Sequence, residues 1–214
     1  TREIDLIEEV ARTAGLARLE VQEKMPVAIA PAQTSERAMR EMAGILTGLG
    51  FFETITFSFT TVAHAELFMP PGLARVEIND DRRAHEPALR PSVLPSLLAC
   101  RRANQDAHAE APGGLRFFET ASIFAQIPGK AGAALQTLET RVLALMADIP
   151  GVGKGKAATV EQRQGAVRSL RGVVEALVRA MAGPKARLAI NPGPPSSRAW
   201  DPAAHGSADL DGKR

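Results

Sequence analysis

The stretch LGFFETITFSF, residues 49–59, carries the alternation on which the predicted fold depends. Hydroxyl and large apolar side chains take turns along it, in the order Thr54, Ile55, Thr56, Phe57, Ser58, Phe59. A period of two is typical of a strand with one polar and one buried face. The pattern predicts a half-buried strand over 53–59, with its apolar residues toward the core, and Gly50 as the stop of a preceding helix.

Outward from this stretch, helix and strand patterns alternate. Apolar residues at spacings of three and four predict helices over 3–14, 35–49, 62–69, 92–108 and 164–181. The inward residues of the last are predicted to be Val167, Leu170, Val174, Leu177, Val178 and Met181. Strands are predicted over 75–79, 115–120, 122–126, 141–147 and 187–190, with 141–147 as a central strand. The order predicts an α+β fold, mainly an antiparallel sheet flanked by helices.

Composition bounds the class of protein. The chain has 214 residues, of which 45% are hydrophobic and 23% charged, so it can bury a core of ordinary size. Its net charge of +2 is too small to predict a nucleic-acid footprint over the whole chain. The single cysteine excludes an internal disulfide framework. No apolar run reaches the roughly 18–20 residues of a membrane helix, and we expect a cytoplasmic protein with no membrane partner.

Both ends of the chain predict a piece of a longer polypeptide. The first helix starts almost at residue 1, and Asp211-Gly212 is a hairpin-turn signal with two residues after it. We therefore expect a return strand beyond the chain. Between the first two helices, Pro26 and Pro31 predict an extended linker over 22–33.

Five segments, in order along the chain, resemble the β subunit of bacterial phenylalanyl-tRNA synthetase. EIDLIEEVAR (3–12) is similar to the family's DL(I/V)EEVAR helix, and 49–59 to GLGFQEVITYSF. LRPSVLPSLL (89–98) is similar to LRTSLLPGLL, FFETASIF (117–124) to LFEIGRVF, and WDPAAHGSA (200–208) to HPGRSA. The resemblance implies a core like that of class II aminoacyl-tRNA synthetases over 34–214, after a linker (22–33) and the last helix of a small upstream domain (1–21).

The resemblance also implies a function. The chain would be part of phenylalanine–tRNA ligase, which attaches phenylalanine to its tRNA with ATP. In this family the core of the β subunit is catalytically silent and serves as scaffold and interface. The α subunit binds ATP and carries the chemistry in an α2β2 heterotetramer, and tRNA would be bound through the full-length β subunit. The helix over 35–49 and the strand after it resemble the element through which class II synthetases assemble.

Three carboxylates in the first helix are the candidate metal ligands. Asp5, Glu8 and Glu9 lie at i, i+3 and i+4 and so share one helix face. Carboxylate oxygens are ligands that Mg²⁺ takes, and the resemblance implies a magnesium ion shared with the α subunit. The alternative is that these acids favour the helix dipole and that Glu8 pairs with Arg12.

The sequence predicts no catalytic residue. On a regular strand Arg116 and Glu119 point to opposite faces and cannot act together on one ligand. The loop over 151–156 lacks the spacing of a phosphate-binding loop. Cys100 is predicted to be a small core residue, and the four histidines are too scattered for a metal site, at His64, His85, His108 and His205.

Two rival hypotheses remain open at this point. One is a free-standing module that binds an amino acid or tRNA with a synthetase-like fold. The other is an ATP-dependent ligase active on its own, which the missing ATP-gripping arrangement around Arg116 disfavours.

Overall fold

The computed structural model describes residues 2–18, 20, 23–109, 111, 113–127, 136–153, 155–200 and 205–211. The chain divides into two compact units, Thr1–Gln33 and Thr34–Arg214. In the first unit, helix α1 (Glu3–Ala14) is followed by a 3₁₀ turn (Leu16–Arg18). Gly15 follows the last residue of α1, with φ +92° and its N–H donating to the carbonyl of Ala11. The described residues from 23 to 33 form no helix or strand.

The second unit contains the remaining elements. Its helices are α2 (Thr34–Gly48), α3 (Val62–Phe68), α4 (Leu94–Asp106) and α5 (Val160–Ala182). Its strands are β1 (Phe52–Glu53), β2 (Phe59–Thr60), β3 (Ala88–Leu89), β4 (Arg116–Ile127), β5 (Gln136–Ala147), β6 (Leu188–Pro192) and β7 (Gly206–Leu210). A further 3₁₀ turn spans Asp81–Arg83. The α+β class predicted from the sequence is confirmed.

The main sheet has the order β1-β4-β5. Strand β4 pairs in parallel with β1 and antiparallel with β5, so β4 is the central strand. Two predictions are corrected here. The residues expected to form two strands around a bend form the single strand β4, and the run over 141–147 belongs to β5, which pairs on one side only in the described sheet. The remaining strands form two-stranded antiparallel pairs, β2-β3 and β6-β7.

Both faces of the main sheet are covered, because neighbouring side chains of β4 point in opposite directions. Phe118 packs with Leu46 of α2 and with α5 in one core cluster. Phe117 packs with Leu97 of α4 in the other. Strand β5 alternates in the same way, with Leu143, Leu145 and Ala147 toward α2 and α5 and Val142, Ala144 and Met146 toward α4. An apolar run without a polar face is what a strand covered on both sides requires.

The end of α2 sets the entry into β1. Gly50 has φ +82°, which a residue without Cβ adopts at no steric cost. The N–H of Gly50 donates to the carbonyl of Thr47, and the N–H of Phe51 donates to the carbonyl of Leu46, each over 3.0 Å. Leu46 and Phe51 are both buried in the same cluster. This is the Schellman arrangement with its hydrophobic contact, and it confirms Gly50 as the stop of the helix.

The inward face of α5 differs from the prediction. The helix begins at Val160, because the Thr159 hydroxyl accepts the N–H of Gln162 in a capping box that the apolar spacing did not indicate. Val173 and Leu177 are its buried residues, whereas Val167 is 68% exposed. The predicted strand over 75–79 is extended and forms an isolated bridge between Glu77 and Ala88, not a regular strand.

Candidate functional site

The alternation of residues 54–59 is real, but the buried face is the polar one. Ile55 is 95% exposed and Phe57 is 80% exposed, whereas Thr54 and Thr56 are half-buried. The predicted strand is also broken into β1 and β2, and residues 54–58 between them belong to neither strand. The prediction that Ile55 and Phe57 face the core is therefore wrong.

A buried ion pair explains why the threonines face inward. Arg90, just after β3, and Glu119, on β4, are each 3% exposed, and Arg90 Nη1 lies 3.0 Å from Glu119 Oε1. The Thr56 hydroxyl donates to Glu119 Oε2 and accepts from Arg90 Nη1, each over 2.7 Å. Buried charges require such partners, because leaving their polar atoms unsatisfied is costly. The segment therefore turns its hydroxyl groups toward the pair.

The main chain is held by the same two residues. The N–H of Thr56 donates to Glu119 Oε1 over 3.3 Å, and the N–H of Arg90 donates to the carbonyl of Ser58 over 2.9 Å. Arg90 also reaches β4, since its Nε donates to the carbonyl of Ser122 and its own carbonyl accepts the N–H of Phe124. The network fixes the orientation of residues 54–58 against the central strand.

The outer side of this segment has no partner within the described residues. On the inner side, the N–H of Thr54 donates to the carbonyl of Phe118 over 2.8 Å, continuing the pairing of β1 with β4. On the outer side, the N–H groups of Ile55 and Phe57 and the carbonyl of Ile55 form no hydrogen bond with any described residue. We call the surface formed by Ile55 and Phe57 the outer face. It combines exposed apolar side chains with main-chain groups that no described residue bonds, which makes it a candidate surface for association.

The three predicted metal ligands lie on α1 in the first unit. The Asp5 carboxylate accepts the N–H of Arg2 over 2.8 Å, as an acid does in a first helical turn. Glu9, not Glu8, pairs with Arg12, which corrects the partner expected in the alternative reading. Glu8 and Glu9 are exposed. The residues that the structure describes contain no group of three His, Cys, Asp or Glu arranged to hold a metal ion.

The residues considered for catalysis have other partners. Arg116 donates to the carbonyl of Leu49 on the face of the sheet opposite to Glu119, which agrees with the predicted opposition. The Glu119 carboxylate pairs with Arg90 and accepts hydrogen bonds from the hydroxyl groups of Thr54 and Thr56. Burial, with Glu119 as the lesser cause, raises the pKa of the Cys100 thiol, which disfavours the thiolate a nucleophile needs. His64, His85 and His108 are exposed and far apart in the chain, and His205 packs on Trp200.

Sequence reasoning missed Arg90 as a site residue. It named Arg90 within the segment 89–98 but assigned it no contact. The residue lies between Leu89 and Pro91, a neighbourhood that shows nothing of the Glu119 carboxylate 29 positions away.

The fold defines the class of protein first. The structure of Desulfitobacterium hafniense PylSc, a pyrrolysyl tRNA synthetase, is similar with a TM-score of 0.51 and 15% sequence identity, over 83% of this chain and 52% of that one. An ATP phosphoribosyltransferase regulatory subunit/histidyl-tRNA synthetase from Bacillus halodurans has a TM-score of 0.50 at 13% identity, over 81% and 42% of the two chains. At such low identity the likeness shows the fold, which is that of class II aminoacyl-tRNA synthetases.

The particular family follows from the sequence comparisons. Residues 20–199 match the model of the phenylalanyl tRNA synthetase beta chain CLM domain. A phenylalanine–tRNA ligase beta subunit from Rhodopirellula baltica is 33% identical over 148 residues, which are 69% of this chain and 21% of the relative. Another from Salinibacter ruber is 37% identical over 129 residues, 57% and 15% of the two chains. The chain belongs to the phenylalanyl-tRNA synthetase β-chain family.

The chain spans between 13% and 21% of the length of the first relatives it matches. No helix in the described part of the chain is both long and apolar enough to cross a membrane.

Proposed function

We propose that this chain is the catalytically silent core of the β subunit of a cytoplasmic phenylalanine–tRNA ligase, and that it packs against the catalytic α subunit through the outer face. The observation that carries the proposal is the inverted alternation, which leaves the side chains of Ile55 and Phe57 in solvent. Family membership supports this choice of partner over a second copy of the chain, since the β-chain family is named for one of two different subunits.

The ion pair beneath the outer face supports a role as scaffold. In an active site of this fold, arginine and carboxylate groups must be free to hold ATP. Here Arg90 and Glu119 are buried against each other and Arg116 is bound to the carbonyl of Leu49. ATP and phenylalanine would therefore bind to the α subunit, and tRNA to the full-length complex.

A magnesium ion would bind only in the complete α/β complex. Asp5, Glu8 and Glu9 have the oxygen donors that the ion takes. In this chain, however, Asp5 caps the helix and Glu9 pairs with Arg12, so the three carboxylates by themselves do not fit an ion. Further ligands would have to come from the α subunit or from the rest of the β chain, and no step of the proposed function passes through this metal.

Assembly tests the proposal. Full-length β subunit with Ile55→Asp and Phe57→Asp is co-expressed with the α subunit, and the mass of the complex is read by light scattering. Because an aspartate in a buried interface core is an unpaired charge, we expect loss of the complex and of phenylalanine-dependent ATP–pyrophosphate exchange.

The matched control replaces two well-exposed apolar residues outside the outer face, Val160→Asp and Val167→Asp on α5, which are 70% and 68% exposed. It should assemble normally. An intact complex with the Ile55 and Phe57 variant would overturn the proposed interface. Exchange activity of the pure β subunit without its partner would overturn the silent core and favour an independent ligase.

A further inference from the structure

A second region of the molecule, remote in sequence from the outer face, gathers positive charge. The segment after β5 and the start of α5 form an open cleft of about 470 Å³ with the end of α4. Four cations line this basic cleft, Arg101 and Arg102 from α4, Lys156 from the loop and Arg163 from α5, and no carboxylate is among its lining residues. The whole chain carries a net charge of only +2. The charge in the cleft is therefore a local concentration and does not follow from composition.

The two arginines of α4 are held in place but not saturated. Arg101 donates through Nε to Asp148, whose other carboxylate oxygen accepts the N–H of Leu115 over 3.1 Å. Arg102 donates through Nε to Asp106 over 2.9 Å. The terminal nitrogens of both guanidinium groups make no hydrogen bond to any described residue. A guanidinium fixed through Nε can still offer terminal donors to an oxyanion.

The other two cations have no partner among the residues that the structure describes. The side chains of Lys156 and Arg163 form no ion pair or hydrogen bond with the described residues, although both line the same cleft. Surface cations of this chain often do find a carboxylate, as Arg171 does with Glu175 and Arg12 with Glu9. The cleft thus brings together, around one concave space, two anchored cations and two that have no partner in the described part of the chain.

The backbone of the loop indicates which phosphate compound would fit. In a nucleotide-binding loop, main-chain N–H groups point at the phosphates. Here the N–H of Val152 donates to Ile149 and the N–H of Lys156 donates to Gly153. Among the described residues that line the cleft, there is no aromatic side chain on which a base could stack. Cation side chains alone suit the phosphodiester backbone of a nucleic acid, which is contacted without reading sequence.

We propose that the basic cleft binds the phosphodiester backbone of RNA. The identification of this RNA as tRNA rests on the proposed function. Arg101 and Arg102 act as fixed donors, and Lys156 and Arg163 as mobile point charges. Binding is independent of base sequence and weakens as salt rises, because each contact displaces a condensed counterion.

The test uses full-length β subunit in complex with its α partner, carrying Lys156→Ala and Arg163→Ala. These residues have no described partner whose loss would disturb the fold. Affinity for fluorescently labelled tRNA is measured by anisotropy over a series of salt concentrations. With two phosphate contacts removed, we expect Kd to rise about tenfold near 0.1 M salt and the slope of log K against log salt to become shallower by about two.

The matched control, Arg168→Ala with Lys185→Ala, removes two exposed cations on and just after α5 that do not line the cleft. Unchanged affinity and slope in the cleft variant, or an equal loss in the control, would overturn the proposal. The proposal would also be overturned if inorganic phosphate or ATP displaced tRNA from the wild-type protein when competitor and tRNA supply the same concentration of phosphate groups. That result would identify a small phosphate compound as the ligand.

Failure of this inference is distinguishable from failure of the proposed function. Assembly and phenylalanine-dependent exchange are measured on the same cleft variant and should be unchanged, because no cleft residue belongs to the outer face. If the subunits do not assemble at all, the same anisotropy series on the full-length β subunit alone still compares the cleft variant with its control.

Discussion

The two sides of residues 52–58 differ in a way that reverses the usual distribution of polarity. The inner side carries Thr54 and Thr56 and rests on the Arg90–Glu119 pair, whereas the outer side carries Ile55 and Phe57 in solvent. Burial of a salt bridge is weak evidence for stability, since an apolar replacement of both partners is often neutral or better. The comparison suggests that the pair orients the segment and that the outer face serves an interaction.

The largest effect is expected from breaking the ion pair on one side. Glu119→Leu leaves the Arg90 guanidinium buried without its counter-charge, so the free energy of unfolding should fall by about 3–5 kcal/mol. Urea denaturation measures this loss. The control, Glu175→Ala, removes the exposed ion pair with Arg171 and should cost about 0.5 kcal/mol.

The double variant Arg90→Met with Glu119→Leu sharpens this result. Because no charge remains unpaired, it should recover most of the lost stability. A single Glu119→Leu variant as stable as the wild type would show that the pair does not organise the inner side.

Removal of the bridging hydroxyl should have a smaller effect. Thr56→Val keeps the shape but takes one hydrogen bond from each buried charge, for a loss of about 1–3 kcal/mol. The control, Thr47→Val, alters a hydroxyl that bonds the helix carbonyl of Ala43 at an exposed position. Equal thermal stability of the two variants would contradict the bridge.

The turn that leads into the segment offers a matched pair of glycines. Gly50→Ala must hold a Cβ at φ +82°, so we expect a loss of about 1 kcal/mol. Gly48→Ala places a methyl group in open space within α2 and should stabilise by up to about 1 kcal/mol. If the two variants change the free energy of unfolding in opposite directions, as measured by denaturant unfolding, the Schellman turn is confirmed. A change in the same direction refutes it.

The smallest effect on stability is expected at the outer face. Ile55→Ser with Phe57→Ser removes side chains that already lie in solvent, so the free energy of unfolding should change by less than about 0.5 kcal/mol. Assembly with the α subunit should nevertheless be lost. A large drop in stability, measured by urea denaturation, would mean that the outer face is part of the core of the chain itself.

Local signals predicted the helices, the stop at Gly50, the α+β class and the family. The opposition of Arg116 and Glu119 also followed from strand geometry, and the structure agrees. The metal role of Asp5, Glu8 and Glu9 stays a prediction. The predicted orientation of the Ile55 and Phe57 side chains was wrong. A period of two shows that the two faces of a strand alternate, but it does not show which face is covered.

The sequence by itself determined where apolar and polar residues repeat, where helices stop and which family the chain belongs to, since these depend on residues close together or on motifs read in order. The tertiary structure decided which side of residues 54–58 is buried, because Arg90 and Glu119 reach it from more than 30 and 60 positions away. It also decided that cations of α4, the loop and α5 share one cleft. Charge and burial act through space, and only the folded chain brings these groups within reach.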